Sequence, residues 1–155
     1  MKTTICSIGE CMIEITHQKK SNFNYSIAGD TLNFASYLNP KSFKVFYLTA
    51  LGTSDINKTA INFLKLKKIS LKLVYRIPFK EIGLYLIKNK KSGKKNFYYW
   101  RDNSAANFFF NNYLKKINKN LQNYDYVYFT GITLSLIKLK KFSEFVSLIN
   151  LYKKN

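Results

Sequence analysis

Two tyrosines and an arginine are the side chains in this sequence whose types and spacing most suggest a binding site. Arg101 stands out because the 155-residue chain has only one other arginine, Arg76. Tyr99 and Arg101 are two positions apart, so on a β-strand they share one face. If Tyr85 joins them, two hydroxyls and a guanidinium, all hydrogen-bonding groups, come together. Their convergence depends on the elements that carry them.

A β-hairpin is predicted to carry all three side chains. Its arms, residues 82–88 and 96–101, are rich in strand-forming residues, and the polar turn 89–93 separates them. Gly93 stands in this turn, where a positive φ angle is expected. Alternation along a strand gives the faces: Gly83, Tyr85 and Ile87 on the first arm, Phe97, Tyr99 and Arg101 on the second, with Tyr98 and Trp100 opposite.

The first forty residues contain a second group of candidates. Residues 11–16 alternate apolar and more polar side chains, which is typical of a strand with one solvated face, and Glu14 lies on that face. Taken alone, Glu14 is equally well explained as a surface glutamate. After a glycine, residues 30–39 have helical spacing, with Asp30 or Thr31 as the expected N-cap.

The whole chain alternates strand-like and helix-like segments, which predicts a single α/β domain. The strand-like segments are 4–8, 43–50 and 124–129, and the helix-like ones are 56–68 and a stretch from about Lys138 to the C-terminus. There is no internal repeat, Pro-rich linker or second domain boundary. Cys6 and Cys11 lack partners at metal-ligand spacing, so we expect them to be reduced and packed.

Composition excludes a disordered tail, a collagen-like fibre and a disulfide scaffold. No apolar stretch is long enough for a membrane span, so we expect a soluble, cytoplasmic protein. The chain has 26 Lys and Arg residues against 8 Asp and Glu, a formal net charge of +18. This balance is typical of nucleic-acid binders, but the lysines are scattered, and A/T-rich codon usage explains them better. Specific nucleic-acid binding is therefore the less favoured alternative.

Five segments together resemble the ribokinase-like (PfkB) sugar kinases in order and spacing, most closely the 2-keto-3-deoxygluconate kinases. They are Ser7-Ile8-Gly9-Glu10-Cys11-Met12-Ile13-Glu14, Gly29-Asp30-Thr31-Leu32-Asn33, Thr49-Ala50-Leu51-Gly52-Thr53, Gly83-Leu84-Tyr85 and Phe97-Tyr98-Tyr99-Trp100-Arg101. The aromatic-arginine segment is the specific part. The resemblance implies a central, mostly parallel sheet flanked by helices, with a small β-lid formed by residues of about 11–28 and 81–102. On this interpretation, residues 1–155 are the N-terminal part of one sugar-kinase domain whose C-terminal half is missing.

The resemblance also implies a substrate site for a small sugar acid. Its residues would be Glu14, Gly29, Asp30, Asn33, Tyr85, Tyr99 and Arg101. Glu14 would accept hydrogen bonds from sugar hydroxyls, since a carboxylate has acceptors only. Gly29 would permit close backbone approach. Arg101 would hold the sugar-acid carboxylate through two parallel hydrogen bonds, which a lysine cannot form.

Other expected parts of such a kinase are absent from this sequence. The family's Gly-Ala-Gly-Asp-type segment, which carries the catalytic base, does not occur after Gly131, and no P-loop occurs anywhere. ATP and Mg²⁺ are implied by the family, but their site is not expected in this chain, and neither catalytic nor metal-binding residues are predicted. We therefore expect a half that is inactive alone, or else a non-catalytic remnant or a split-protein fragment. The expected macromolecular partner is either a second copy of the chain, bound through the lid in a homo-oligomer, or a complementary C-terminal chain.

Overall fold

The computed structural model describes residues 2–18, 22–90, 92–117 and 124–150. Eight strands and five α-helices lie in this part of the chain. The strands are β1 (Thr3–Ile8), β2 (Met12–His17), β3 (Phe23–Ala28), β4 (Phe43–Leu51), β5 (Val74–Arg76), β6 (Gly83–Asn89), β7 (Lys95–Trp100) and β8 (Tyr126–Tyr128). The helices are α1 (Asp30–Tyr37), α2 (Ile56–Leu66), α3 (Ala105–Asn112), α4 (Gly131–Leu136) and α5 (Phe142–Asn150).

The central sheet is parallel and has the strand order β5-β4-β1-β8. Its two inner strands, β1 and β4, are buried along most of their length, as the inner strands of a parallel sheet require, while the outer strands β5 and β8 are only partly buried. Along β4, Phe46, Leu48 and Ala50 belong to one buried cluster, while Val45 and Tyr47 belong to another. Side chains of α3 and α5 complete the first cluster, and side chains of α1 and α2 complete the second. The sheet is thus the middle layer of an α/β fold.

A second four-stranded sheet, here called the small sheet, has the order β3-β2-β6-β7. Strands β2 and β6 are parallel, and the two outer pairs are antiparallel. The register places Glu14, Tyr85 and Tyr99 beside one another on three successive strands. The predicted hairpin is therefore present, as β6 and β7.

Several predicted boundaries are wrong in detail. Asp30 and Thr31 are not the N-cap of α1. Both lie inside the helix, and the N-cap is Gly29, whose φ of +151° favours glycine; the Asp30 carboxylate accepts a hydrogen bond from Thr130. Helix α1 ends at Tyr37, not at residue 39, since the residue before a proline avoids helical backbone. Helix α2 ends at Leu66, two residues before Lys68 adopts a positive φ.

The C-terminal helix also begins later than the predicted start near Lys138. A 3₁₀ turn at Leu139–Lys141 precedes it, and α5 begins at Phe142. The predicted continuation through residues 151–155 lies outside the described residues. Cys6 and Cys11 are free and buried, as expected. Within the described ranges, no helix is both long and apolar enough to cross a membrane.

Candidate functional site

A cavity of about 190 Å³ lies between the small sheet and the start of α1. Six of the seven predicted site residues are among its nine lining residues, which are Met12, Gly29, Asp30, Asn33, Tyr85, Phe97, Tyr99, Arg101 and Ile132. Thus the structure brings both predicted groups together: three residues of the turn and helix α1 on one side, and three residues of the hairpin on the other. Glu14 is the seventh predicted residue and does not line the cavity.

Glu14 reaches the cavity indirectly, through Tyr85. The Tyr85 hydroxyl donates a hydrogen bond to Oε2 of Glu14, and the ring centroids of Tyr85 and Tyr99 are 5.7 Å apart. Burial, together with the neighbouring Glu14 carboxylate, raises the pKa of Tyr85 above its ordinary value. Like an ordinary tyrosine, Tyr85 is protonated at neutral pH, and it donates its phenolic proton to Glu14.

The opposite side of the cavity is built by the turn that leads into α1. A Cβ atom on Gly29 would stand 2.5 Å from the carbonyl oxygen of Glu10, and Gly29 has a positive φ angle that side-chain-bearing residues rarely adopt. The backbone amide of Asn33 donates a hydrogen bond to the Gly29 carbonyl oxygen at 2.7 Å. The Thr130 hydroxyl, at the N-cap of α4, donates to Asp30. Glycine at position 29 thus allows two backbone segments to meet beside the cavity.

Arg101 follows β7 directly and makes an ion pair with Glu10. Its Nη2 atom lies 2.7 Å from Oε2 of Glu10, and the two side chains are only 17% and 2% exposed. The contact has the distance of an ion pair but not the angle of a hydrogen bond, so Oε2 and the arginine Nε and Nη2 have no hydrogen-bond partner among the described residues. The other oxygen, Oε1, accepts a hydrogen bond from the Ser104 hydroxyl.

Burial and pairing act on Glu10 in opposite directions. Burial raises the pKa of Glu10, and the neighbouring charge of Arg101 and the hydrogen bond from Ser104 lower it. Burial is the larger effect, so the pKa of Glu10 lies above its ordinary value. The ion pair is thus held at a cost in desolvation, as expected for buried charges.

Arg101 and Tyr99 also border a second, larger cavity. This cavity has a volume of about 370 Å³, and its other lining residues are Glu81, Ile82, Trp100, Asp102, Asn103 and Ser104. Arg101 therefore stands between two open spaces, with Glu10 as its close partner.

The described residues hold no group of three or more His, Cys, Asp and Glu side chains that could bind a metal ion. This finding concerns a metal site built from protein side chains alone, whereas Mg²⁺ is commonly held by one or two carboxylates together with substrate phosphates. No step that involves Mg²⁺ or ATP is assigned to these residues.

Two residues beside the site, Glu10 and Ser104, were not identified from the sequence. Glu10 is one of eight acidic residues in the chain and follows Gly9 directly at the end of a buried strand. An acidic residue between two apolar positions that are both buried, Ile8 and Cys11, is itself expected to be buried and to need a polar partner. This apolar surrounding is the sequence signal from which Glu10 could have been identified. Its partner Arg101 is 91 positions away, so spacing alone could not pair them.

The chain belongs to the pfkB family of carbohydrate kinases, whose family model matches residues 2–150. It is 36% identical over 138 residues to the 2-dehydro-3-deoxygluconokinase of Dickeya dadantii, covering 86% of this chain and 44% of that protein. It is 32% identical over 154 residues to the Escherichia coli K12 protein of the same name, covering 96% of this chain and 50% of that protein. The chain therefore spans about half the length of the curated relatives it matches.

A solved structure supports the same fold. The crystal structure of 2-dehydro-3-deoxygluconokinase from Thermotoga maritima superimposes with a TM-score of 0.77 at 18% identity, covering 96% of this chain and 48% of that one. At this identity the likeness establishes the fold alone. The predicted fold class, a ribokinase-like α/β domain represented by its N-terminal half, is confirmed.

Proposed function

We propose that this chain forms the sugar-acid-binding half of a 2-dehydro-3-deoxygluconate kinase, with the small sheet as the lid over the sugar. The complete enzyme would transfer the γ-phosphate of ATP to the terminal hydroxyl of this sugar acid, which is also called 2-keto-3-deoxygluconate. The supporting observation is the cavity of about 190 Å³ in which the turn before α1 faces the hairpin. Two of the relatives carry this activity in their names.

The chemistry of the cavity suits a small carboxylated sugar. Arg101 would bind the carboxylate, and the hydroxyl of Tyr99 and the side chains of Asp30 and Asn33 would bind sugar hydroxyls. Glu14 would act through Tyr85 by orienting its hydroxyl. None of these groups can supply the phosphoryl donor, so in this proposal the chain binds and positions the sugar acid only.

Phosphoryl transfer would need a further polypeptide half that carries the base and the nucleotide site. An apolar cavity of about 200 Å³ beside β8, the edge strand of the central sheet, supports this part of the proposal. Its lining residues are Phe129, Leu134, Phe142, Phe145, Val146, Ile149 and Asn150. A polypeptide that extends the sheet beyond β8 would cover those of these side chains that are still exposed, such as Phe142 and Val146. In a coupled assay with sugar acid, ATP and Mg²⁺, the chain alone is expected to be inactive, and turnover by it would refute this division of labour.

Titration of the 155-residue chain with 2-dehydro-3-deoxygluconate tests the binding role. Calorimetry or NMR titration should give saturable binding, and Arg101→Lys should weaken it by roughly tenfold or more, because a charge-assisted bidentate contact becomes a point charge. Tyr99→Phe should also weaken binding, since it removes a hydroxyl from the cavity wall.

Two variants serve as matched controls. Arg76→Lys changes the other arginine of the chain, which lies on β5 and donates to the Gly52 carbonyl away from the cavity. Tyr98→Phe removes a hydroxyl from the neighbouring position, which points to the opposite face of β7. Both should bind like the wild type. Equal affinity of Arg101→Lys and the wild type would refute the role of Arg101.

A further inference from the structure

In the described part of the chain, four segments join the small sheet to the central sheet or its helices, and Glu10 lies on one of them and contacts the other three. The first is its own segment, between β1 and β2. The second is the turn between β3 and α1, where Gly29 packs against the Glu10 carbonyl oxygen. The third is the start of β6: a Cβ atom on Gly83 would lie 2.7 Å from Oε1 of Glu10. The fourth follows β7, where Arg101 and Ser104 contact the carboxylate.

The two carboxylate oxygens of Glu10 have separate partners. Oε1 accepts the hydrogen bond from Ser104, whose Oγ atom also accepts from the Asn107 amide at the N-terminus of α3. Oε2 faces the guanidinium of Arg101 at 2.7 Å. One oxygen is thus bonded to the N-cap of a helix that packs on the central sheet, and the other contacts the residue that directly follows the small sheet.

The setting of Arg101 gives this contact a consequence for binding. Arg101 is a lining residue of both the cavity of about 190 Å³ and the cavity of about 370 Å³. Its Nε and Nη2 atoms are buried and have no hydrogen-bond partner among the described residues. The ion pair with Glu10 is the close polar contact that the structure gives this side chain. Without that contact, the guanidinium would be free to turn toward either cavity.

We infer that Glu10 is a positioning residue, which fixes the guanidinium of Arg101 at the smaller cavity from the point where the two sheets join. This inference rests on the proposed function of that cavity as a sugar-acid site. Glu10 itself contacts Arg101 and does not line the cavity, so in this inference it acts on the ligand only through the arginine.

A double-mutant cycle on the full chain tests the inference. The affinity for 2-dehydro-3-deoxygluconate is measured by NMR titration for the wild type, Glu10→Gln, Arg101→Gln and the double variant. Glu10→Gln keeps the side-chain shape and should weaken binding by about tenfold, which is the size expected for a lost charge-assisted contact. In the Arg101→Gln background the same change should alter affinity by less than about twofold, because coupled residues are non-additive.

Two results would overturn the inference. Loss of affinity by the same factor in both backgrounds would mean that Glu10 supports the cavity generally and not through Arg101. Unchanged affinity in Glu10→Gln would mean that Arg101 needs no such support. If Glu10→Gln does not fold, Glu10→Asp replaces it, because this variant keeps the charge on a shorter side chain. Its loss of affinity should be less than tenfold and should again disappear in the Arg101→Gln background.

A second measurement separates this inference from the proposed function. The chain has two arginines, so ¹⁵N NMR gives two Nε–H signals, and Arg101→Gln identifies the one from Arg101. In Glu10→Gln this signal should shift and broaden while that of Arg76 remains in place. An unmoved Arg101 signal would refute the positioning role. If the wild type does not bind the sugar acid but the signal responds as expected, the proposed function fails and the positioning of Arg101 by Glu10 stands.

Discussion

Gly52 has no side chain, which allows the segment that leads into β6 to pack closely against the end of strand β4. A Cβ atom at this position would overlap the carbonyl oxygen of Lys80 and stand 2.8 Å from Nδ2 of Asn57. Asn57 is fully buried, and its Oδ1 accepts from the Gly52 amide at 2.8 Å and from the Ile82 amide at 3.0 Å. Gly52→Ala therefore cannot be accommodated unless the backbone near Lys80 moves away and these bonds break.

The cost of Gly52→Ala follows from the two hydrogen bonds to Asn57. Leaving a buried polar group unpaired costs about 1–3 kcal/mol, so loss of both bonds should lower the free energy of unfolding by about 2–6 kcal/mol. With a urea m-value of about 2 kcal/mol/M, the middle of the usual range, the unfolding midpoint should fall by about 1–3 M. This is a large part of the roughly 5–15 kcal/mol that a domain has in total.

Urea unfolding followed by circular dichroism measures the effect, with Gly131→Ala as the control. Gly131 is the first residue of α4, and no atom lies within 4 Å of where its Cβ would stand. Because alanine favours helix over glycine, the control should unfold at the same urea concentration as the wild type or slightly higher. If Gly52→Ala and Gly131→Ala have the same midpoint, the close packing of Gly52 against Lys80 is refuted.

Two further predictions concern Glu10 and its neighbours. Because burial raises the pKa of Glu10, the folded state binds the Glu10 proton more tightly than the unfolded state, whose pKa is the ordinary 4.5. The free energy of unfolding of the wild type, relative to that of Glu10→Gln, should thus be highest below pH 4.5 and fall as the pH rises through the raised pKa. Urea unfolding at a series of pH values measures this difference, and a difference that grows with pH would contradict the prediction. Ser104→Ala removes the N-cap of α3 and a hydrogen bond to the buried carboxylate, so it should cost about 2–4 kcal/mol in the same assay. Ser135→Ala, an exposed change in α4, should cost under about 0.5 kcal/mol, and equal midpoints for the two serine variants would argue against the cap.

Local patterns predicted the elements whose side chains follow a simple period. Alternation over residues 11–16 matches β2 (Met12–His17), and the amphipathic segment 56–68 contains α2 (Ile56–Leu66). The predicted hairpin placed Tyr85 and Tyr99 on a shared face, and the register has them side by side. These features are local, so the physics that forms them can be read from neighbouring residues.

Elements without a clear period were not predicted. Helix α3 contains three consecutive phenylalanines, and a short apolar run of this kind fits a strand as well as a helix. Strand β3 begins with four exposed residues, so its sequence lacks the apolar alternation from which a half-buried strand is predicted.

Contacts between distant residues were also outside the reach of local patterns. The hydrogen bond from Thr130 to Asp30 spans 100 positions, and the contact of Glu10 with Arg101 spans 91. Such pairs arise only when the sheets assemble, since no spacing rule links residues so far apart. For this reason the sequence predicted the residues of the hairpin and of the turn before α1 but not the buried carboxylate that joins them.

The parallel pairing of β1 with β8 has a consequence for synthesis on the ribosome. Strand β1 lies in the middle of the central sheet, but one of its two neighbours, β8, comes from far along the chain. Thr4 and Asp125, which join the two strands through four hydrogen bonds, are 121 positions apart. At a translation rate of about 5–20 residues per second, the nascent β1 would wait roughly 6 to 24 seconds for this neighbour. During that interval its free edge is exposed to other chains. High contact order of this kind slows folding, so the growing polypeptide should depend on chaperones until residues 126–128 emerge.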